Sequence, residues 1–233
     1  MNDDDIRAAL LAVTTATLTT VLLKRGLRSV WMRGPTPQKA GVRVAGRAFT
    51  LRFTPAREDL TTPAAWASPV STRAAIEAAS PGDVMVIDAM GERGAGVFGD
   101  ILCARMAQRG LAALVTDGVV RDAKGVAETG LPVWCAGAAA PPSVARLHFV
   151  GWGETVACGG VTVEPGDWIV ADGDGAVVAP RAIAAEVAAE AAAQEKFEDW
   201  ALAEVRRGAT LPGLYPPDEA TRARYRRETG ADA

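Results

Sequence analysis

The stretch DVMVIDAMGERGAGVFGDILCARMAQRGLAALVTDG, residues 83–118, decides the fold. Its opening DVMVID (83–88) is a short apolar run rich in β-branched residues behind a Pro-Gly turn, the pattern of a buried strand. DILCARMAQRG (100–110) reads as a helix and LAALVTDG (111–118) as a second buried strand. Strand, helix and strand in this order form a β-α-β unit, which makes the chain α/β.

Inside that unit, GAGVFGD (94–100) has the spacing G-x-G-x-x-G, and Asp117 lies near where a ribose-binding acid would belong. A dinucleotide site requires the first glycine to follow its strand at once, so that the tight turn brings the helix end against the pyrophosphate. Here AMGER intervenes, and Asp100 puts a carboxylate in the first helical turn, where it repels a phosphate. No second mononucleotide-binding half is evident, so the glycines are read as a decoy.

Further out, GVRVAGRAFTLRFTP (41–55) has the alternation of strands, and STRAAIEAASPGD (71–83) is a helix ended by a Pro-Gly turn. PGDVMVID at 81 is echoed by PGDWIVAD at 165, which marks two strands of one sheet system entered by similar turns. The N-terminal segment, uncharged from 8 to 23, begins with Asp3, Asp4 and Asp5 and is expected to form one buried amphipathic helix rather than a positively headed signal peptide. Residues 181–208 predict a long helix ending at Gly208, with a core-packing stripe of Phe197, Trp200, Ala201 and Val205. Residues 1–208 are thus expected as one domain and 209–233 as a proline-broken polar arm able to wrap a neighbouring subunit.

Composition bounds the function. The 233 residues are 49% hydrophobic and 23% charged, enough for a sizeable core. A formal net charge of −3 argues against a nucleic-acid or anionic-membrane surface, and a cytoplasmic protein is expected. Cys103, Cys135 and Cys158 have neither C-x-x-C nor metal spacing with the single His148, so they are read as reduced, buried thiols. His148 sits in the strand-like run ARLHFVGW and is read as structural.

Chemistry concentrates around 99–122. Gly99, Asp100, Ile101 and Leu102 open a helix, where amides without an intrahelical partner and the helix dipole favour a small anion such as a carboxylate. Asp117, Arg121 and Asp122 lie just past the second strand, where open α/β sheets place ligands. Arg121 offers a planar fork for a carboxylate, and Asp122 a hard oxygen for Mg²⁺ or Mn²⁺. N-capping by Asp100 and a surface ion pair of Arg121 with Asp122 are the structural alternatives.

FGDILCARMAQRGLAALVTDGVVRD resembles the central segment of the RraA-like family, which includes 4-hydroxy-4-methyl-2-oxoglutarate/4-carboxy-4-hydroxy-2-oxoadipate aldolases and the regulator of ribonuclease E activity. The aldolase pattern of an Asp, twenty residues and Arg-Asp is met by Asp100 and Arg121-Asp122, and the likeness extends to TTATLTTVL near the N-terminus and PGDWIVADGDGAVVAP at 165–180. The resemblance implies a swivelling ββα fold assembled as trimers or hexamers with sites between subunits. It also implies substrate contacts from Gly99, Asp100, Ile101 and Leu102, pyruvyl binding by Arg121, and a divalent metal on Asp122. The chain departs from the family at Gly125, where an acid is common, and at Thr19-Thr20, where Ser-Asp is more usual.

The expected activity is metal-dependent cleavage of a 2-oxo acid to give pyruvate, by retro-aldol cleavage or oxaloacetate decarboxylation through a common enolate. The base is expected to be a metal-bound water organised by Asp100, with Glu195 or Glu198 from a neighbouring C-terminal helix as the weaker choice. Three alternatives stand beside this: a Schiff-base aldolase using Lys124, an enzyme acting on a sugar-derived 2-oxo acid, and a non-catalytic binding protein of the ribonuclease-regulator kind.

Overall fold

In the computed structural model, which describes residues 1–231, the chain opens with helices α1 (Asp3–Leu11) and α2 (Thr15–Lys24), then strands β1 (Trp31–Met32), β2 (Thr36–Pro37) and the long β3 (Val44–Pro55). An alternating series follows: α3 (Thr72–Ala78), β4 (Val84–Asp88), α4 (Asp100–Gln108), β5 (Ala113–Thr116), α5 (Ala123–Glu128) and β6 (Val133–Cys135). The chain continues through β7 (Leu147–Trp152), the hairpin β8 (Val156–Cys158) and β9 (Val161–Val163), β10 (Trp168–Asp172) and β11 (Gly175–Ala179), and closes with α6 (Ala184–Arg206) and α7 (Glu219–Thr229).

The main sheet runs β1-β11-β10-β3-β4-β5-β6-β2, with β7 also on β3. Strands β3, β4, β5 and β6 are parallel neighbours in chain order, each crossover carrying a helix. β3 is long enough to serve three partners: residues 44–47 pair with β10, 48–52 with β4, and 51–55 with β7 across a register shift at Arg52/Phe53.

The period-2 alternation of side chains divides the core. Met85 and Ile87 of β4, with Leu114 and Val133, pack on Ile76, Cys103, Met106 and Val126 from α3, α4 and α5. Val84 and Val86 face the other way, onto Ile169, Ala171, Ala176 and Val178 of β10 and β11 and onto the β8–β9 hairpin. The outer face of β10 and β11 (Trp168, Val170, Val177, Ala179) buries Leu10, Leu18, Val187 and Ala191 of α1, α2 and α6. The layers are therefore helix, sheet, sheet, helix: the α/β class expected from the sequence is present, with α1, α2 and α6 forming a helical layer opposite α3, α4 and α5.

The repeated Pro-Gly-Asp has a geometric cause. Gly82 and Gly166 adopt φ of +84° and +83°, which only glycine enters without strain. Asp83 accepts the Ser80 amide (2.8 Å) and Asp167 the Glu164 amide (3.0 Å), so the same turn feeds β4 and β10 onto the two flanks of β3.

Two expectations are corrected. The N-terminal segment is two helices meeting at 113°, because Thr14 leaves helical geometry and its hydroxyl caps α2 at the Thr17 amide (3.2 Å). No single helix among the described residues is long and apolar enough to cross a membrane. The C-terminal arm contains α7, capped by Asp218, with Tyr225 edge-on to Phe197 (5.3 Å) and Trp200 (5.4 Å). The Phe197 stripe thus packs largely against α7; Ala201 alone of its four residues is fully buried, and Val205 remains 38% exposed.

Candidate active site

The irregular loop between β4 and α4 lies alongside the loop after β5. Val97 donates its amide to the Val119 carbonyl (2.8 Å), and Arg121 donates its own to the Phe98 carbonyl (2.9 Å). This approach explains the glycines. A Cβ at Gly96 would sit 2.6 Å from the Arg121 amide nitrogen, and one at Gly99 would sit 2.7 Å from Asp122 Oδ2. Gly96 and Gly99 make room for the Arg-Asp loop; none of Gly94, Gly96 and Gly99 has a positive φ.

Gly99 is the N-cap of α4 and brings no side chain to the helix end. Asp100 stands in the first turn, its Oδ1 accepting the Ile101 amide at 2.7 Å, so it does not act as the usual cap. Beside it, a Cβ at Gly125 would meet Asp100 Oδ2 at 2.7 Å. Glycine at 125 therefore makes space for Asp100 against α5.

Asp122 occupies the N-cap position of α5 in the left-handed region (φ 51°, ψ 44°), yet its side chain makes no capping bond. Aspartate tolerates this region better than most residues, at some cost in strain. The carboxylate accepts Arg121 Nε at 3.0 Å through Oδ2, and both side chains are partly exposed (38% and 45%). The ion pair considered from sequence is thus present, held by an aspartate that its own helix does not use.

All six site residues meet. Gly99, Asp100, Ile101, Leu102, Arg121 and Asp122 line one groove of about 280 Å³, completed by Trp66, Thr72, Arg73, Pro142 and Ser143 among others. Trp66 and Arg73 were not legible as site residues, because they arrive from the β3–α3 connection and from α3, well outside the β-α-β unit. Among the described residues no three His, Cys, Asp or Glu side chains cluster as a metal cage.

The other candidates lie elsewhere. Glu195 accepts both the Thr14 amide and hydroxyl (3.2 and 3.1 Å), and Glu198 accepts Thr17 Oγ1 (2.9 Å), tying α6 to the start of α2 in the same chain. Lys124 is 92% exposed beside Glu128 (3.9 Å). His148 lies on β7 with Nδ1 3.3 Å from Thr61 Oγ1. Thr19 and Thr20 both bond the Ala16 carbonyl of their own helix. The three cysteines are free and buried, and burial pushes the Cys103 thiol up to about 12. Asp117 is buried, accepting the Ala89 amide (2.8 Å) and the Gly159 amide (3.2 Å), and burial raises its pKa above the ordinary carboxylate value.

Comparison with known proteins bears on this geometry. A family model described as RraA-like, aldolase/RraA, matches residues 15–178. The crystal structure of Streptomyces coelicolor RraAS2, described as an unusual member of the RNase ES inhibitor RraA protein family, has a TM-score of 0.77 at 38% identity, over 85% of this chain and 96% of that one. An uncharacterized protein from Pseudomonas syringae pv. tomato has a TM-score of 0.78 at 27% identity, over 91% and 97% of the two chains. Among curated relatives, a protein of Halalkalibacterium halodurans named "Putative 4-hydroxy-4-methyl-2-oxoglutarate aldolase" is 38% identical over 106 residues, 44% of this chain and 49% of the relative. The matched segment spans about half the length of that relative.

Proposed function

The chain belongs to the RraA-like family, and from that premise we propose that it is a divalent-metal-dependent lyase that cleaves a 2-oxo acid of the 4-hydroxy-4-methyl-2-oxoglutarate type to pyruvate. The convergence of a helix N-terminus, the Arg121 guanidinium and an uncapping Asp122 carboxylate on one groove carries the reading. The name of the Halalkalibacterium relative supports it.

The donor set fits a hard cation. Asp122 supplies an exposed carboxylate without a capping duty and, among the described residues, no thiol or imidazole lines the groove, which suits Mg²⁺ or Mn²⁺ held by one carboxylate and waters rather than a closed cage. When bound, such a cation supplies Lewis acidity at the 2-oxo group. Arg121 binds the adjacent carboxylate in two-point fashion and stabilises charge that develops on the 2-oxo oxygen. The amides opening α4, apart from that of Ile101, which Asp100 takes, face the anionic substrate with the favourable end of the helix dipole. Asp100 holds a water that takes the proton of the C4 hydroxyl.

The C3–C4 bond then breaks, its electron pair moving to C3 and into conjugation with the 2-oxo group. Protonation at C3 completes one pyruvate, and C4 leaves as the carbonyl carbon of the second product. For oxaloacetate the same electron flow accompanies cleavage of the C3–C4 bond, C4 leaving as carbon dioxide, and protonation at C3 again gives pyruvate. Lys124 stands 92% exposed on the surface rather than in the desolvated pocket that a Schiff-base lysine needs, which favours the metal route.

The test is pyruvate release from 4-hydroxy-4-methyl-2-oxoglutarate and from oxaloacetate, followed with lactate dehydrogenase in Mg²⁺ and again in EDTA. Turnover in Mg²⁺ only is expected; turnover unaffected by EDTA contradicts the mechanism. Inactivity on both compounds directs the search to sugar-derived 2-oxo acids. A second reading, a ribonuclease-regulating binding protein, is favoured by the likeness to RraAS2 along 96% of that chain. Such binding would survive Asp122→Ala, whereas the lyase would not.

A further inference from the structure

The groove holds a second guanidinium that the reaction as described does not use. Arg73 lies in the first turn of α3, is exposed, and lines the groove together with Arg121. Among the described residues it makes no salt bridge and no hydrogen bond through its side chain. Its natural i,i+4 partner on α3 is Glu77, but Glu77 is already taken by Arg105 (2.8 Å to each carboxylate oxygen) and Arg109 (3.0 Å). Nor does the helix compensate it, because a cation in the first turn faces the positive end of the dipole.

The arginine is nonetheless positioned. Its Cζ lies 5.6 Å from the centroid of the Trp66 ring, within cation-π range. Trp66, Thr72 and Ser143 line both the groove and a neighbouring cavity of about 390 Å³, so there is room beyond the reacting atoms for the departing half of a substrate. An oriented, uncompensated guanidinium is suited to a carboxylate.

We propose that Arg73 is a specificity-determining residue that binds the second carboxylate of a dicarboxylic 2-oxo acid, the one carried on C4 of the departing half, while Arg121 holds the carboxylate next to the 2-oxo group. The inference rests on the lyase reading of the same groove. It selects dicarboxylic substrates over analogues in which that carboxylate is an alkyl group.

The experiment compares kcat/KM for 4-hydroxy-4-methyl-2-oxoglutarate with kcat/KM for 4-hydroxy-4-methyl-2-oxopentanoate, in wild type, Arg73→Ala and Arg73→Lys. Loss of a charge-assisted contact lowers the ratio by about 10- to 100-fold in Arg73→Ala, with partial recovery in Arg73→Lys and an unchanged melting temperature. A ratio unaltered by Arg73→Ala overturns the proposal and leaves the lyase reading standing. Calorimetric titration with 2-oxoglutarate and with 2-oxopentanoate, neither of which has a C4 hydroxyl to cleave, supplies a readout apart from turnover. Wild type is expected to prefer 2-oxoglutarate and Arg73→Ala to lose that preference; equal preference in both proteins overturns the proposal. If wild type neither binds nor cleaves any of these acids, the lyase reading falls and the role of Arg73 falls with it.

Discussion

Two pairs of acids stand at or past the ends of β4 and β5, and they have opposite fates. Asp88 and Asp117 are each 7% exposed, and each accepts one backbone amide on either oxygen: Met90 and Ala157 for the first (both 3.1 Å), Ala89 and Gly159 for the second. They fasten the β8–β9 hairpin to the sheet. Asp100 and Asp122 sit at helix starts, partly open to solvent, and neither caps its helix in the usual way. A carboxylate whose oxygens are consumed by buried amides holds a fold together, whereas one left at the rim of a groove beside an arginine is available to a ligand.

The largest expected effect separates the two pairs by activity. Arg121→Ala and Asp122→Ala should each lower kcat/KM for the 2-oxo acid by about 100-fold or more. Their melting temperatures should barely move, because a half-exposed ion pair contributes less than about 1 kcal/mol. Steady-state kinetics beside thermal denaturation checks both halves; a large loss of stability would blur the distinction.

Asp117→Ala should do the reverse. Leaving the Ala89 and Gly159 amides without their acceptor costs about 1–3 kcal/mol, read as a lower urea midpoint, while the folded protein keeps its Mg²⁺-dependent turnover. Loss of turnover in fully folded Asp117→Ala would mean that this acid belongs to the chemistry after all.

A pH series sharpens the contrast further. Burial raises the folded pKa of Asp117 above its ordinary value of 3.8, so the neutral carboxyl is the form the fold prefers. The resulting stability is fully present below the unfolded value and is withdrawn as pH rises from there through the folded value. Wild type should therefore lose stability relative to Asp117→Asn across that window, measured by urea denaturation; a constant difference would contradict the assignment.

The smallest effect concerns an acid of a third kind. Arg105, with Arg109 assisting, holds the exposed Glu77 carboxyl below its ordinary 4.5. Its contribution is present above that value and is lost as pH falls through the lowered one, so Glu77→Gln should melt slightly below wild type near neutrality and together with it in acid.

The legibility of the site follows the same physics. Asp100, Arg121 and Asp122 fall in one β-α-β unit whose apolar runs announce it, so their meeting was readable from the spacing of strand, helix and loop. Arg73 and Trp66 reach the groove by tertiary packing alone and leave no local pattern. The break at Thr14 lies inside an uncharged run, where a threonine acting as a cap looks like any other threonine of the helix. α7 was obscured for a different reason: DEATRARYRRE (218–228) is nearly all polar, and its stability comes from Tyr225 meeting Phe197 and Trp200 across a turn that composition does not reveal.

The most direct test of the central claim is pyruvate release from 4-hydroxy-4-methyl-2-oxoglutarate by wild type, Asp122→Ala and Asp117→Asn, each in Mg²⁺ and in EDTA. Turnover that EDTA abolishes in wild type and in Asp117→Asn, and that Asp122→Ala lacks under both conditions, is the predicted result. Turnover that persists in Asp122→Ala, or that ignores EDTA, would contradict the assignment of chemistry to the acids at the groove rim.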